Sequence, residues 1–266
     1  MRLAAERSGD GRPIVLLHGL TATRRYVVMG STLLQRSGFD VLAYDARGHG
    51  ESDPAPDPAA YTYADLCDDL AGELHRAGLQ RVWLAGVSMG AHTAVRFALD
   101  HPERVAGLVL ITPAFLPGRF GAAELARWDA RAEGLRHGGV DGFLAAYDEL
   151  DLLSERDRAI VTQVVRQRLA LHRHPAAVAD ALSSVPRSSP FADLADLAAV
   201  SAPALVVADR DDVDPGHPLA VAEAWARTIP RAEIVVEAPG ERPIAWRGGE
   251  LARRIVAFAG ADRPDS

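Results

Sequence analysis

The first 111 residues carry four apolar runs: Pro13–Leu17, Phe39–Tyr44, Val82–Val87 and Val105–Ile111. Their side chains are nearly continuously apolar, without the in–out alternation of a half-exposed strand. That is the pattern of strands buried on both faces. The segments between them have helical spacing. The periodicity predicts helices over Arg24–Ser37, Thr62–Ala77 and Met89–Leu99, with Gly38 and Gly78 as stops and His101-Pro102 ending the third. Strands alternating with helices make a parallel sheet covered on both sides.

The alternation breaks at Thr112. From there to about Val200 the pattern predicts only helices: Phe120–Glu133, Val140–Leu150, Glu155–Leu171 and Pro175–Leu182. It resumes with a strand at Ala204–Ala208, a helix at Leu219–Thr228, a strand at Ala232–Val236 and a helix at Gly249–Ala259. The chain therefore reads as an α/β core, residues 1–111 and 201–260, interrupted by a helical lid, residues 112–200. Residues 261–266 read as a disordered tail.

Composition narrows the partners. Of 266 residues, 48% are hydrophobic and 24% charged, and the formal net charge is −7. This is an ordinary soluble composition, and its sign disfavours nucleic acid and anionic membranes. The single cysteine, Cys67, excludes an intrachain disulfide and reads as a small buried residue. No secretory leader or membrane-length apolar run is visible, so the expected location is the cytoplasm. The expected partner is a small-molecule substrate, with no cofactor and no metal. Composition leaves the oligomeric state open.

The chemistry concentrates at Gly86-Val87-Ser88-Met89-Gly90, between a strand and a helix. A Gly-x-Ser-x-Gly turn there presents a serine hydroxyl at the carboxyl edge of the sheet and at a helix N-terminus. Free N–H groups at that end favour developing negative charge. His18-Gly19-Leu20 follows the first apolar run and supplies a second loop beside the serine. Leu20 and Met89 are the expected backbone donors to an oxyanion, and His18 is expected to brace the loop.

With Asp45-x-Arg47-Gly48-His49-Gly50-x-Ser52 between them, these motifs resemble the α/β-hydrolase fold family, most closely its cofactor-free esterase branch with a helical lid. The resemblance covers nearly the whole chain. It implies a doubly wound, mostly parallel sheet, Ser88 as nucleophile, and a structural role for Asp45, Arg47 and His49. It also implies an acid just beyond Ala204–Ala208, four residues before a proline. That position is Asp211 in Asp209-Arg-Asp-Asp-Val-Asp-Pro215, with Asp209, Asp212 and Asp214 as competitors.

The base departs from the pattern. The family places a histidine after the last strand, in Gly-His-x-Pro, but here Gly240-Glu241-Arg242-Pro243 occupies that stretch, and no histidine follows His217. Loss of such a base costs roughly a millionfold in turnover, on the order of 8 kcal/mol. Three readings stand. Glu241 substitutes, sharing a proton with Asp211. Alternatively a histidine arrives from elsewhere: His217, the lid pair His172 and His174, or His92, which more naturally packs against the sheet. Otherwise the chain is a weak or inactive ligand-binding protein, or a lyase or isomerase, on this fold. The first expectation is a serine hydrolase of small esters or related carbonyl compounds. Ser88, Asp211 and Glu241 are then catalytic, and Leu20, Met89 and Trp246 contact substrate. Phe115, Leu116, Phe120, Trp128, Phe143 and Tyr147 would line an apolar lid pocket or form the lid's own core.

Overall fold

The computed structural model describes residues 1–212 and 214–261. Seven strands form one sheet: β1 (Ala5–Ser8), β2 (Arg12–Leu17), β3 (Phe39–Tyr44), β4 (Val82–Val87), β5 (Val105–Ile111), β6 (Ala204–Ala208) and β7 (Ala232–Val236). Their spatial order is β1-β3-β2-β4-β5-β6-β7. All pairings are parallel except β1 with β3. The expected doubly wound sheet is therefore present. β1 was not expected: its four residues, Ala-Glu-Arg-Ser, are exposed and carry no apolar signal.

The helices are α1 (Leu33–Arg36), α2 (Tyr63–Arg76), α3 (Met89–Asp100), α4 (Ala122–Ala145), α5 (Glu155–Leu169), α6 (Pro175–Ser184), α7 (Leu219–Thr228) and α8 (Gly248–Ala261). Successive strand residues point to opposite faces, which divides the core in two. Leu84, Leu108 and Leu110 pack against α2, α3 and α7. Trp83, Val109 and Ile111 pack against α1 and α8 on the other side. Truncating a fully buried leucine such as Leu110 to alanine costs about 2–5 kcal/mol, because the surrounding parallel strands cannot collapse into the gap. Cys67 is buried in the first of these layers, where burial pushes its thiol up to about 12.

One predicted helix fails. Arg24–Ser37 is a 3-10 turn at Arg24–Tyr26, then the single helical turn α1. Between them Met29 and Gly30 adopt positive φ, 47° and 73°, and reverse the chain. Tertiary contacts override the local periodicity: Asp45 recruits Arg24, and the start of α8 packs so closely that a Cβ on Gly248 would lie 2.1 Å from the Val28 carbonyl oxygen.

The block between β5 and β6 is helical, as the sequence indicates. Two expected segments merge into α4, which folds back on itself at Gly139 (φ 60°). The halves approach backbone to backbone, and a Cβ on Gly134 would lie 2.3 Å from the Gly142 carbonyl oxygen. A third apolar cluster joins this insert to the carboxyl end of the sheet. It combines Leu20, Ala46 and Met89 from the core with Leu135, Phe143, Leu169 and Leu182 from the insert. Trp128 and Tyr147 pack on that cluster, while Phe115 is buried among the core residues with Leu116 and Phe120 against it. No described helix is long and apolar enough to cross a membrane. The tail expected at 261–266 lies outside the described residues beyond Ala261.

Candidate active site

Ser88 occupies the tight turn between β4 and α3 with φ 50° and ψ −111°. Such a conformation costs a non-glycine residue about 1–3 kcal/mol and needs surrounding structure to hold it. Here the Ser88 N–H donates to the Ile111 carbonyl at 2.9 Å, and its own carbonyl accepts from His92 N–H at 3.0 Å. The flanking glycines are obligatory. A Cβ on Gly86 would lie 2.2 Å from the Gly90 carbonyl, and one on Gly90 would lie 2.2 Å from the Leu17 carbonyl oxygen.

The Ser88 hydroxyl meets His217. Oγ lies 3.0 Å from His217 Nε2, and His217 Nδ1 lies 2.9 and 3.0 Å from the two oxygens of Asp214. A carboxylate accepts only, so Nδ1 carries the proton and Nε2 is left to accept from Ser88 O–H. Burial works against a charged imidazole here. The adjacent Asp214, with Asp209 behind it, outweighs that effect and Arg119, and raises the His217 pKa above its ordinary value. Both side chains remain partly exposed, His217 by 27% and Asp214 by 18%.

The geometry differs from the expected pairing of Asp211 with Glu241. Asp211 Oδ1 accepts from Leu219 N–H at 2.7 Å, capping the first turn of α7. That bond closes the segment that carries Asp214 and His217, so Asp211 shapes the loop and does not touch the imidazole. Inside it, Asp214 N–H donates to the Arg210 carbonyl at 3.0 Å and His217 N–H to the Asp214 carbonyl at 3.2 Å. These consecutive turns put Asp214 and His217, three residues apart, on the same side. Glu241 is exposed and faces Arg247 at 3.3 Å. Trp246 packs against the apolar layer of α1 and α8. Among the described residues, neither Glu241 nor Trp246 hydrogen-bonds to Ser88 or His217. His217 was the outlying candidate in the sequence, and Asp214 one competitor of Asp211. The signal that joins them is the Asp-Pro-Gly-His spacing, whose Pro-Gly turn brings the two side chains together.

The loop after β2 lies against the serine. A Cβ on Gly19 would be 3.7 Å from Ser88 Cβ. The Gly19 carbonyl accepts from His18 Nδ1 at 2.8 Å and from Ala22 N–H at 2.9 Å. In a trans peptide the Leu20 N–H then points the opposite way. His18 Nε2 accepts from Ala46 N–H, and burial, then neighbouring His49, holds its pKa at about 3. His18 is therefore a neutral brace. Met89 is the first residue of α3, and a first-turn N–H has no partner within its helix.

The other histidines singled out in the sequence occupy different positions. His49 Nε2 contacts the Leu20 carbonyl at 2.5 Å. His172, from the insert, accepts from Gly50 N–H at 2.8 Å and lies 3.2 Å from the Thr21 carbonyl, so it ties the insert to this loop. His92 accepts from Ala114 N–H through Nε2, and its Nδ1 donates to the Tyr63 hydroxyl at 2.7 Å. His174 precedes α6 as its N-cap residue. Asp45, fully buried, ion-pairs with Arg24, and Arg47 binds Asp69 in a bidentate contact at 2.7 and 2.9 Å. These groups hold the loops around the serine in place.

Behind the relay, Asp209 is buried and neither carboxylate oxygen makes a hydrogen bond. Ala245 N–H favours its charge slightly without completing one. Burial, with Asp214 and Glu237 nearby, pushes its pKa up to about 8. No group of three or more His, Cys, Asp or Glu among the described residues is arranged to hold a metal.

Comparison with known proteins agrees with this architecture. The profile of the alpha/beta hydrolase fold family matches residues 12–247. A thermophilic esterase from Thermogutta terrifontis superposes with a TM-score of 0.80 at 31% identity, over 97% of this chain and 93% of that one. An enol-lactonase from Burkholderia xenovorans, 23% identical, has the same fold, with a TM-score of 0.79 over 97% of this chain and 96% of that one. Among curated sequences, an epoxide hydrolase of Siraitia grosvenorii is 34% identical over 112 residues, 41% of this chain. An sn-1-specific diacylglycerol lipase of Mus musculus is 39% identical over 99 residues, 37% of this chain. The chain spans about a third of these two curated relatives, 34% and 31% of their length. With the sheet order, the strained serine turn and the family match over most of its length, this chain belongs to the α/β-hydrolase fold family.

Proposed function

We propose that the protein is a serine hydrolase of small carboxylic esters or related carbonyl compounds, with Ser88, His217 and Asp214 as its catalytic residues. The observation that carries this reading is the unbroken relay from Ser88 Oγ through both nitrogens of His217 to Asp214. His217 Nε2 takes the hydroxyl proton as Ser88 Oγ attacks the carbonyl carbon, and the Leu20 and Met89 N–H groups receive the oxyanion. His217 then delivers its proton to the departing alkoxide, leaving an acyl-serine. Water attacks that ester by the same route and releases acid and free Ser88. Asp214 holds the reactive tautomer and stabilises the imidazolium. The helical insert, docked over the carboxyl ends of the strands, serves as the lid that shapes the substrate cavity.

The fold's similarity to a thermophilic esterase supports this reading, and the serine–histidine contact argues against a ligand-binding protein that has lost its base. A fluorophosphonate probe provides the test. Rapid stoichiometric labelling, abolished in Ser88→Ala and slowed at least a thousandfold in His217→Gln, is expected. Absence of labelling between pH 6 and 9 would overturn the assignment.

A further inference from the structure

From the insert, the Arg119 guanidinium reaches the Asp214–His217 turn and that of Arg168 lies within electrostatic range of Asp214, with no carboxylate paired to either. Arg119 lies just before α4. A terminal nitrogen donates to the Gly216 carbonyl at 3.4 Å, and the group sits over the Phe120 ring at 5.8 Å. Its Nε is shielded from solvent and has no hydrogen-bond partner. Arg168, near the end of α5, has a shielded and unpartnered Nε as well. Among the described residues the Arg168 side chain forms no hydrogen bond or ion pair. The groups in its electrostatic reach are Tyr147, Asp214 and Tyr26. Tyr26 follows the Gly19-Leu20 loop, so Arg168 lies within electrostatic range of both that segment and the acid of the relay.

Most other arginines of the same insert behave differently, the exposed Arg156 and Arg173 apart. Arg127, Arg131, Arg136, Arg166 and Arg187 each meet a carboxylate at ion-pair distance. The acids nearest Arg119 and Arg168 are already engaged. Glu124 pairs with Arg127, Glu149 with Arg131, Asp214 with His217, and Asp211 caps α7. Burial lowers the pKa of both free arginines, a sign of incompletely compensated positive charge. A desolvated guanidinium without a partner is costly, and its planar fork matches a carboxylate.

We propose that Arg119 and Arg168 form a subsite for an anionic group, so that the preferred substrate carries a carboxylate a few bonds from the carbonyl attacked by Ser88. This rests on the ester-hydrolase reading and names its substrate class.

Two measurements separate the claims. The first compares the p-nitrophenyl monoester of adipic acid with its methyl-capped counterpart. The free acid is expected to be preferred about tenfold or more in kcat/KM. In Arg168→Gln and Arg119→Gln that preference falls toward one, chiefly through KM, and Arg168→Lys retains part of it. Equal turnover of the two esters by the wild type overturns the proposal. So does an equal loss on both esters in Arg168→Gln accompanied by a shifted pH profile, which would make Arg168 a support for Asp214. The second is calorimetric titration of Ser88→Ala with adipate and with adipamide, which needs no turnover. Adipate is expected to bind at least tenfold more tightly, and Arg168→Gln in that background to remove the difference. Indistinguishable binding of acid and amide overturns the subsite. Selective adipate binding without any esterase activity or probe labelling upholds the subsite and overturns only the hydrolase reading.

Discussion

The loops after β6 and β7 leave the sheet side by side, each from a buried carboxylate, Asp209 in one and Glu237 in the other. They are joined at the base: Arg210 N–H donates to Glu237 Oε1 at 2.7 Å, and Arg210 Nε donates to the Glu237 carbonyl at 3.1 Å. Beyond that point they diverge. The first curls through consecutive turns, closed by the Asp211–Leu219 cap, and brings His217 to Ser88. The second turns at Gly240 (φ 80°) and leaves Glu241 exposed against Arg247. The comparison shows that a carboxylate and a histidine lined up on one serine need not come from separate strand ends. One short segment holds both when a Pro-Gly turn puts residues three apart on one side.

The sharpest way to break this comparison is His217→Gln, expected to lower kcat by about 10⁴–10⁶. Adding Glu241→His to that variant should restore nothing, since position 241 faces solvent. Recovery of activity in the double variant would show that the β7 loop can reach Ser88. Steady-state kinetics on a p-nitrophenyl ester decides between them.

Asp214→Asn should cost about 10²–10⁴ in kcat, because the amide holds the imidazole poorly. It also carries a pH signature. The relay needs neutral His217, and Asp214 raises the histidine's pKa. Wild-type kcat/KM should therefore rise with pH through an inflection above the ordinary histidine range near 6.5. Removing the carboxylate should move that inflection down. An unmoved acid limb in Asp214→Asn would detach Asp214 from His217.

The smallest effects belong to the residues that the motif pattern favoured. Asp211→Asn weakens a helix cap and should reduce stability by up to about 1 kcal/mol in denaturant titration, with kcat changed only a few-fold. Glu241→Gln loses one exposed ion pair, at most about 1 kcal/mol, and should leave kcat within about twofold, since an exposed charge away from the relay is largely screened. A hundredfold loss in Glu241→Gln would reverse the assignment of the two loops.

Much of the fold was legible because parallel strands buried on both faces leave continuous apolar runs. β2, β3, β4, β5 and β6 announce themselves in that way, while the edge strand β7, none of whose residues is fully buried, is marked only by its short run Ile-Val-Val. β1 does not, because an exposed edge strand is defined by its pairing with β3 and not by its own residues. The helix expected at Arg24–Ser37 failed for the complementary reason. Its local periodicity is real, but Asp45 and α8 claim the same residues. At the site, Ser88 and the two loops around it were legible since glycine is demanded wherever backbones approach within contact distance. The relay partners were not, because four aspartates stand within six residues of the β6 loop and composition alone cannot rank them.

The amino-acid sequence by itself determined the doubly wound sheet, the interruption by a helical insert, the serine at the strand-to-helix turn and the absence of a histidine after His217. These follow from period, apolar continuity and the steric need for Gly86 and Gly90, all local properties. The tertiary structure decided which acid and which histidine face Ser88, and which arginines of the insert go without a carboxylate. Those depend on the direction of side chains from loops closed by long-range contacts, such as Arg210 with Glu237 and His172 with Gly50. Hydrogen-bond geometry is sensitive to fractions of an ångström, and no spacing along the chain specifies it.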